Sequence, residues 1–199
     1  RSANGVGTRA LRLPRREWEP LDVQTVAVMG GAGRVGLPLA IGLAEAGYQV
    51  IVYDVNTQTM DLIQSGQMPF EEEQAGPVLA RVRAERRLTC TSDPSSLSKA
   101  EAIFCAIGTP VDEFMNPTTH RFIAQIEAIR EHLRDGQVLL LRSTMFPGTS
   151  EHLQRLFNEN GPRVDVACCP ERVTQGKAYV ELRSLPQVIS GFSDRARRI

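Results

Sequence analysis

Six consecutive residues, Gly31-Ala32-Gly33-Arg34-Val35-Gly36, carry the spacing G-x-G-x-x-G and follow the apolar run Val26-Ala27-Val28-Met29 after a single further glycine. Glycines so spaced let a strand turn sharply into a helix. Gly31 serves the turn, Gly33 lets the backbone approach a pyrophosphate, and Gly36 lets helix and strand pack closely. The helix start then presents free N–H groups and the positive end of its dipole to phosphates. Ala32, Arg34 and Val35 complete the cradle, with Arg34 placed to touch a phosphate. A chance glycine cluster in a turn is the bland alternative for such a motif alone. Asp54 weighs against it, because it ends the apolar run Val50-Ile51-Val52-Tyr53 roughly 20 residues after the turn. A carboxylate there accepts hydrogen bonds from the adenosine ribose hydroxyls and repels a 2′-phosphate, so the expected cofactor is NAD rather than NADP.

Three further groups fall at the ends of apolar runs: Gly108-Thr109-Pro110, Ser143-Thr144 and Pro170-Glu171-Arg172-Val173. Ligands of doubly wound sheets lie at the carboxyl edge of the strands. Hydroxyls there can hold the cofactor ribose, a diphosphate or a water. Each pair taken singly is equally well a capped strand end. Glu171 at the same edge can act as a general base or hold a water. Its alternative is a salt-bridged loop residue, partnered by Arg172 or Lys177.

These groups need a scaffold, and the hydrophobic pattern supplies one. Strands are expected at 26–29, 50–53, 88–91, 102–107, 138–141 and 164–168, with a last short one at 188–190. Helical spacing marks 35–46, 57–64, 77–87, 122–133 and 147–160, and Gly47 stops the first of these. Such alternation predicts an α/β fold, a Rossmann-type doubly wound, mostly parallel sheet with helices on both faces. Residues 1–22 are polar, basic and aperiodic and read as a flexible arm, with Trp18 able to pack back. The cofactor domain is expected over 23–192, and 193–199 as the start of a connecting helix.

Composition narrows the classes. The chain has 199 residues, 42% hydrophobic and 23% charged, enough for one buried core. Lys plus Arg and Asp plus Glu both number 23, so no global field recruits nucleic acid or an acidic membrane. No apolar run approaches the ~20 residues of a membrane span. Cys90, Cys105, Cys168 and Cys169 form no C-x-x-C pair, and His120, His132 and His152 are scattered. A reducing cytoplasm and no metal site are the expectations. A start without Met reads as a fragment or a processed chain.

Taken together, the chain resembles the N-terminal domain of the UDP-glucose/GDP-mannose dehydrogenase family. The resemblance runs from about Val26 to Gly191. It rests on the glycine turn with Leu37-Pro38, on Tyr53-Asp54-Val55-Asn56, on Gly66 with Pro69 and Glu72, and on the three edge motifs, the last extended by Gly176-Lys177. It implies oxidation of the C6 alcohol of a nucleotide-linked sugar to a carboxylate by two NAD in succession, through a cysteine-bound thioester. The glycine turn, Asp54, Gly108, Thr109 and Ser143 would then serve the cofactor, while Thr144 and Glu171 would line the catalytic centre. Arg172 resembles the UDP-N-acetylmannosamine and UDP-N-acetylglucosamine branch. The UDP-glucose and GDP-mannose enzymes usually carry an aromatic residue there. Gln175 stands where many UDP-glucose enzymes have a second glutamate, and Thr59 where a basic residue often contacts the adenosine end.

Beyond its expected start at 193–199, the family's connecting helix matches nothing in this sequence, and neither does its nucleophilic cysteine. The resemblance therefore implies a chain that binds NAD without turning over sugar, and a homodimer in the full-length protein. Two other readings stand beside it: an oxidoreductase of the 6-phosphogluconate or hydroxyisobutyrate type, and a non-catalytic module that senses NAD or a nucleotide.

Overall fold

The computed structural model describes residues 23–109, 113 and 118–198. The arm at 1–22, Trp18 and Pro110 lie outside the described residues. Seven strands form one sheet in the order β3-β2-β1-β4-β5-β6-β7. They are β1 (Thr25–Met29), β2 (Gln49–Tyr53), β3 (Leu88–Thr91), β4 (Ala102–Cys105), β5 (Val138–Leu141), β6 (Asp165–Cys168) and β7 (Ser190–Gly191). The first six run parallel, in a register that sets Val26 beside Val50 and Ala102. β7 pairs antiparallel with β6, Cys168 facing Ser190.

Period-two alternation divides each strand between two cores. Val26, Val28, Val50 and Val52 face α1 (Gly36–Glu45) and α3 (Ala75–Ala84). Ala27, Met29, Ile103, Leu139 and Leu141 face α4 (Thr119–Ile129) and α5 (Thr149–Glu159). Both faces are therefore covered, which is why the strands read as unbroken apolar runs. α2 (Thr57–Gln64) is capped by Asn56, whose side chain accepts the N–H of Thr59 at 3.1 Å.

Element edges depart from the sequence expectation where local chemistry intervenes. β4 stops at Cys105 instead of 107. α3 starts earlier, at Ala75, and ends at Ala84, after which Arg86 turns the chain with φ +56. α5 begins at Thr149, because Gly148 is left-handed and Thr149 Oγ1 donates to the Phe146 carbonyl at 2.7 Å. The last strand is Ser190–Gly191 rather than 188–190. Over its described residues, the expected helix start at 193–199 is a turn, closed by the Arg197 N–H on the Ser193 carbonyl at 3.3 Å.

A short helix, α6 (Ala178–Glu181), packs beside α1. Glu45, in the last turn of α1, joins three elements. It accepts from Arg81 of α3 at 2.6 Å, from the Tyr179 hydroxyl at 2.6 Å, and from Arg183.

Candidate active site

β1 and β4 are neighbours whose following connections diverge, so their carboxyl ends border the crevice where open α/β sheets bind ligands. The sheet delivers every motif to that edge: the glycine turn after β1, Asp54 after β2, Gly108-Thr109 after β4, Ser143-Thr144 after β5 and Glu171 after β6.

In the turn, the N–H groups of Gly30 and Gly31 donate to the Tyr53 carbonyl at 2.9 and 3.3 Å. The left-handed residue is Gly30, with φ +75, not Gly31. Gly30 was no sequence candidate, although the Gly30-Gly31 pair was visible. Gly31 is needed for close approach: a Cβ there would lie 2.6 Å from the Val28 carbonyl oxygen. A Cβ on Gly36 would lie 2.3 Å from the Gly30 oxygen and 2.7 Å from the Gly31 Cα. The start of α1 thus packs on the turn itself. Val35, just before it, makes no side-chain cap. Asp54 braces the same turn: Oδ2 accepts the Ala32 N–H at 3.0 Å and Oδ1 the Asn56 N–H at 3.0 Å.

Beside the turn lies a cleft of about 220 Å³ walled by Met29, Tyr53, Asp54, Val55, Ile107 and Ile129. Val55 is 82% exposed at its rim. An apolar slot with one carboxylate, next to a cradle a side chain would fill, suits the adenosine half of a dinucleotide. Arg34 extends from the turn with its guanidinium 5.1 Å from the centre of the Phe70 ring. Phe70 belongs to the loop 67–74, which ends where α3 begins. That loop is pinned to the far side of the site by Glu73 N–H on the Gly176 carbonyl (2.8 Å) and by the Tyr179 N–H on Glu72 Oε1 (2.8 Å).

On the other side of the crevice the hydroxyls differ in use. Ser143 Oγ donates to the Ile107 carbonyl, tying the end of β5 to that of β4. Thr144 is exposed and its hydroxyl has no partner among the described residues. Gly108 is exposed and Thr109 half-buried.

Glu171 is held by three donors. Oε1 accepts the N–H groups of Arg172 (2.8 Å) and Val173 (3.1 Å), and Oε2 accepts Nη2 of Arg142. The ion-pair partner is thus Arg142, and neither the Arg172 guanidinium nor Lys177. The Arg172 guanidinium instead donates to the Pro186 carbonyl at 3.2 Å. Arg142, whose side chain is 3% exposed against 11% for Glu171, was no sequence candidate. The available signal was a cation directly after four buried residues, since a buried charge requires a partner.

Among the described residues, no three His, Cys, Asp or Glu side chains gather as a metal site, and no helix is long and apolar enough to cross a membrane. All four cysteines are free. Burial pushes the Cys105 thiol up from 9.0 to about 12 and the Cys90 thiol to about 11. Two results are expected. At pH 8, iodoacetamide will leave Cys105 unmodified in the folded chain and alkylate it in denaturant, which peptide mass mapping reads directly. Above pH 9 the unfolded chain loses the Cys105 proton while the folded chain keeps it. The unfolded state then binds fewer protons, so this thiol's contribution to stability is nearly constant below pH 9 and falls as pH climbs toward 12. Urea midpoints at pH 8 and 10.5 will show the drop, and Cys105→Ala will reduce it, leaving the share that Cys90 contributes.

Residues 24–198 match the family model described as UDP-glucose/GDP-mannose dehydrogenase family, NAD binding domain. A UDP-N-acetyl-D-mannosamine dehydrogenase of Pyrococcus horikoshii is 31% identical over 179 residues, covering 87% of this chain and 42% of that protein. A UDP-glucose 6-dehydrogenase of Pseudomonas aeruginosa is 30% identical over 171 residues, covering 82% and 38%. Among solved structures, the NDP-N-acetyl-D-galactosaminuronic acid dehydrogenase of Methanosarcina mazei superposes with a TM-score of 0.79 at 26% identity, covering 88% of this chain and 40% of that one. The chain spans about two fifths of the length of these relatives.

Proposed function

Because this chain belongs to the UDP-glucose/GDP-mannose dehydrogenase family, with its NAD binding domain at residues 24–198, we propose that it serves a nucleotide-sugar 6-dehydrogenase whose substrate is a UDP-N-acetylhexosamine. The cofactor is NAD. Gly31, Ala32, Gly33, Arg34, Val35, Gly36 and Asp54 would hold it, helped by Gly108, Thr109 and Ser143. When bound, NAD accepts a hydride from carbon. Converting a C6 alcohol to a carboxylate removes four electrons, so two NAD are reduced per sugar and water supplies the second carboxylate oxygen.

The observation that carries this reading is that Thr144 and Glu171 follow the adjacent strands β5 and β6, at the edge that also holds the glycine turn. The Thr144 hydroxyl is open to a ligand. Glu171, with Oε1 committed to two backbone N–H groups, has acceptor capacity left only on Oε2. It is built to hold a hydroxyl or a water in one direction. Arg172 favours the N-acetylhexosamine branch, as do the names of several relatives. UDP-glucose is the second reading, supported by the 30% identical UDP-glucose 6-dehydrogenase. A cytoplasmic homodimer is part of the same proposal.

The test is NADH yield from the longest native form of the chain, given each sugar in limiting amount. Two NADH per UDP-N-acetylmannosamine or UDP-N-acetylglucosamine is the expected result. Two per UDP-glucose alone would keep the chemistry and discard the branch. No NADH from any sugar, with NAD still bound, would favour a sensing module.

A further inference from the structure

Arg142 stands at the joint between the two substrate-side motifs. Its backbone continues the sheet beyond the strands: its N–H donates to the Cys105 carbonyl and its own carbonyl accepts the Glu171 N–H, both at 2.9 Å. Residues 142 and 171 are thereby tied backbone to backbone just past β5 and β6, and Ser143-Thr144 follow at once. The side chain repeats the link. Nη2 holds Glu171 Oε2, while Nη1 reaches Cys169 Sγ and Gln187 Oε1, each at 2.9 Å. Nε is buried without a partner among the described residues.

We infer that Arg142 is a positioning residue, which fixes the Glu171 carboxylate so that the remaining acceptor direction of Oε2 meets the substrate beside Thr144. This rests on the reading of Glu171 and Thr144 as substrate-side groups. Without the guanidinium, Glu171 keeps only the two backbone donors on Oε1, and its other oxygen is free to turn. A carboxylate held by three donors loses that freedom before any ligand arrives, which is what precise placement of a reacting group requires. The guanidinium is suited to the task because it spans three acceptors with a rigid fork. An ammonium at the same place keeps the charge but cannot hold Cys169, Gln187 and Glu171 in one plane. Gln187 contributes by fixing the other side of the fork.

The test compares Arg142→Lys, Gln187→Ala, Glu171→Gln and the Arg142→Lys/Glu171→Gln double variant in the longest native form of the chain. Thermal unfolding, NAD affinity, kcat and KM are measured with the sugar that yields NADH. Arg142→Lys is expected to lower kcat about 30-fold with KM and NAD affinity changed less than about threefold, and the double variant to be no worse than Glu171→Gln alone. Such non-additivity means that both changes act through one group. Gln187→Ala, on an exposed side chain, is expected to lower kcat about fivefold and serves if Arg142→Lys fails to fold. Unchanged kcat in Arg142→Lys or in Gln187→Ala, or effects that multiply in the double variant, would overturn the proposal while leaving Glu171 in its role. A Glu171→Gln variant of undiminished kcat would instead overturn the underlying reading, and this inference with it.

Discussion

Gly36→Ala will abolish measurable NAD binding and lower the stability of the domain by about 2–4 kcal/mol. The added Cβ would stand 2.3 Å from the Gly30 oxygen and 2.7 Å from the Gly31 Cα. Both obstacles are backbone, so no rotamer change relieves the clash. Either α1 moves away from the turn or the turn opens, and each displaces the N–H groups that would meet the pyrophosphate. Calorimetric titration with NAD and a thermal melt of the same sample check both effects. Gly42→Ala is the control: it lies in the same helix, where a Cβ meets nothing within 4 Å, and it should leave both unchanged or raise the melting point.

Removing the Asp54 side chain carries the second large effect. Asp54→Ala deletes the acceptor of the Ala32 and Asn56 N–H groups together with the proposed partner of the ribose. Hydrogen bonds to a charged group contribute about 1.5–3 kcal/mol each, so a loss of NAD affinity of at least about 100-fold is expected. Asp54→Asn separates the two duties. Its amide oxygen can still accept from Ala32, but the negative charge that repels a 2′-phosphate is gone. NAD affinity should fall only about tenfold while the NAD-to-NADP preference collapses. Fluorescence titration with both dinucleotides reads the ratio. An Asp54→Asn variant that still strongly prefers NAD would mean that discrimination resides elsewhere.

Much of this was legible in the sequence for physical reasons that also mark its boundary. β1, β2 and β5 announce themselves because a parallel strand covered on both faces must be apolar throughout. β7 has two residues and no periodicity to read. The 3-10 helix at Pro94–Lys99 is a matter of local turn chemistry, its start capped by Asp93 on the Ser95 N–H at 2.9 Å. It falls within a span that hydrophobic spacing treats as a gap. At the site, the glycine turn and Asp54 are local in sequence and were read directly, although the bond from Ala32 to Asp54 was not. Arg142 was missed because its meaning is entirely tertiary. Its carboxylate partner lies 29 residues on, brought alongside only when β5 and β6 pair. Glu171 had two plausible cationic partners nearby in sequence, and the fold chose a third.

The bonds at Glu45 bear on the thermodynamics of ligand capture. The helix whose first turn is proposed to meet the phosphates is anchored at its last turn to α3 and to the segment around α6, by Arg81, Tyr179 and Arg183. A helix fastened at its distal end has little rigid-body freedom left to surrender. Its ordering belongs to folding and is complete before a dinucleotide arrives. Association then spends less of its interaction energy on organising the receptor.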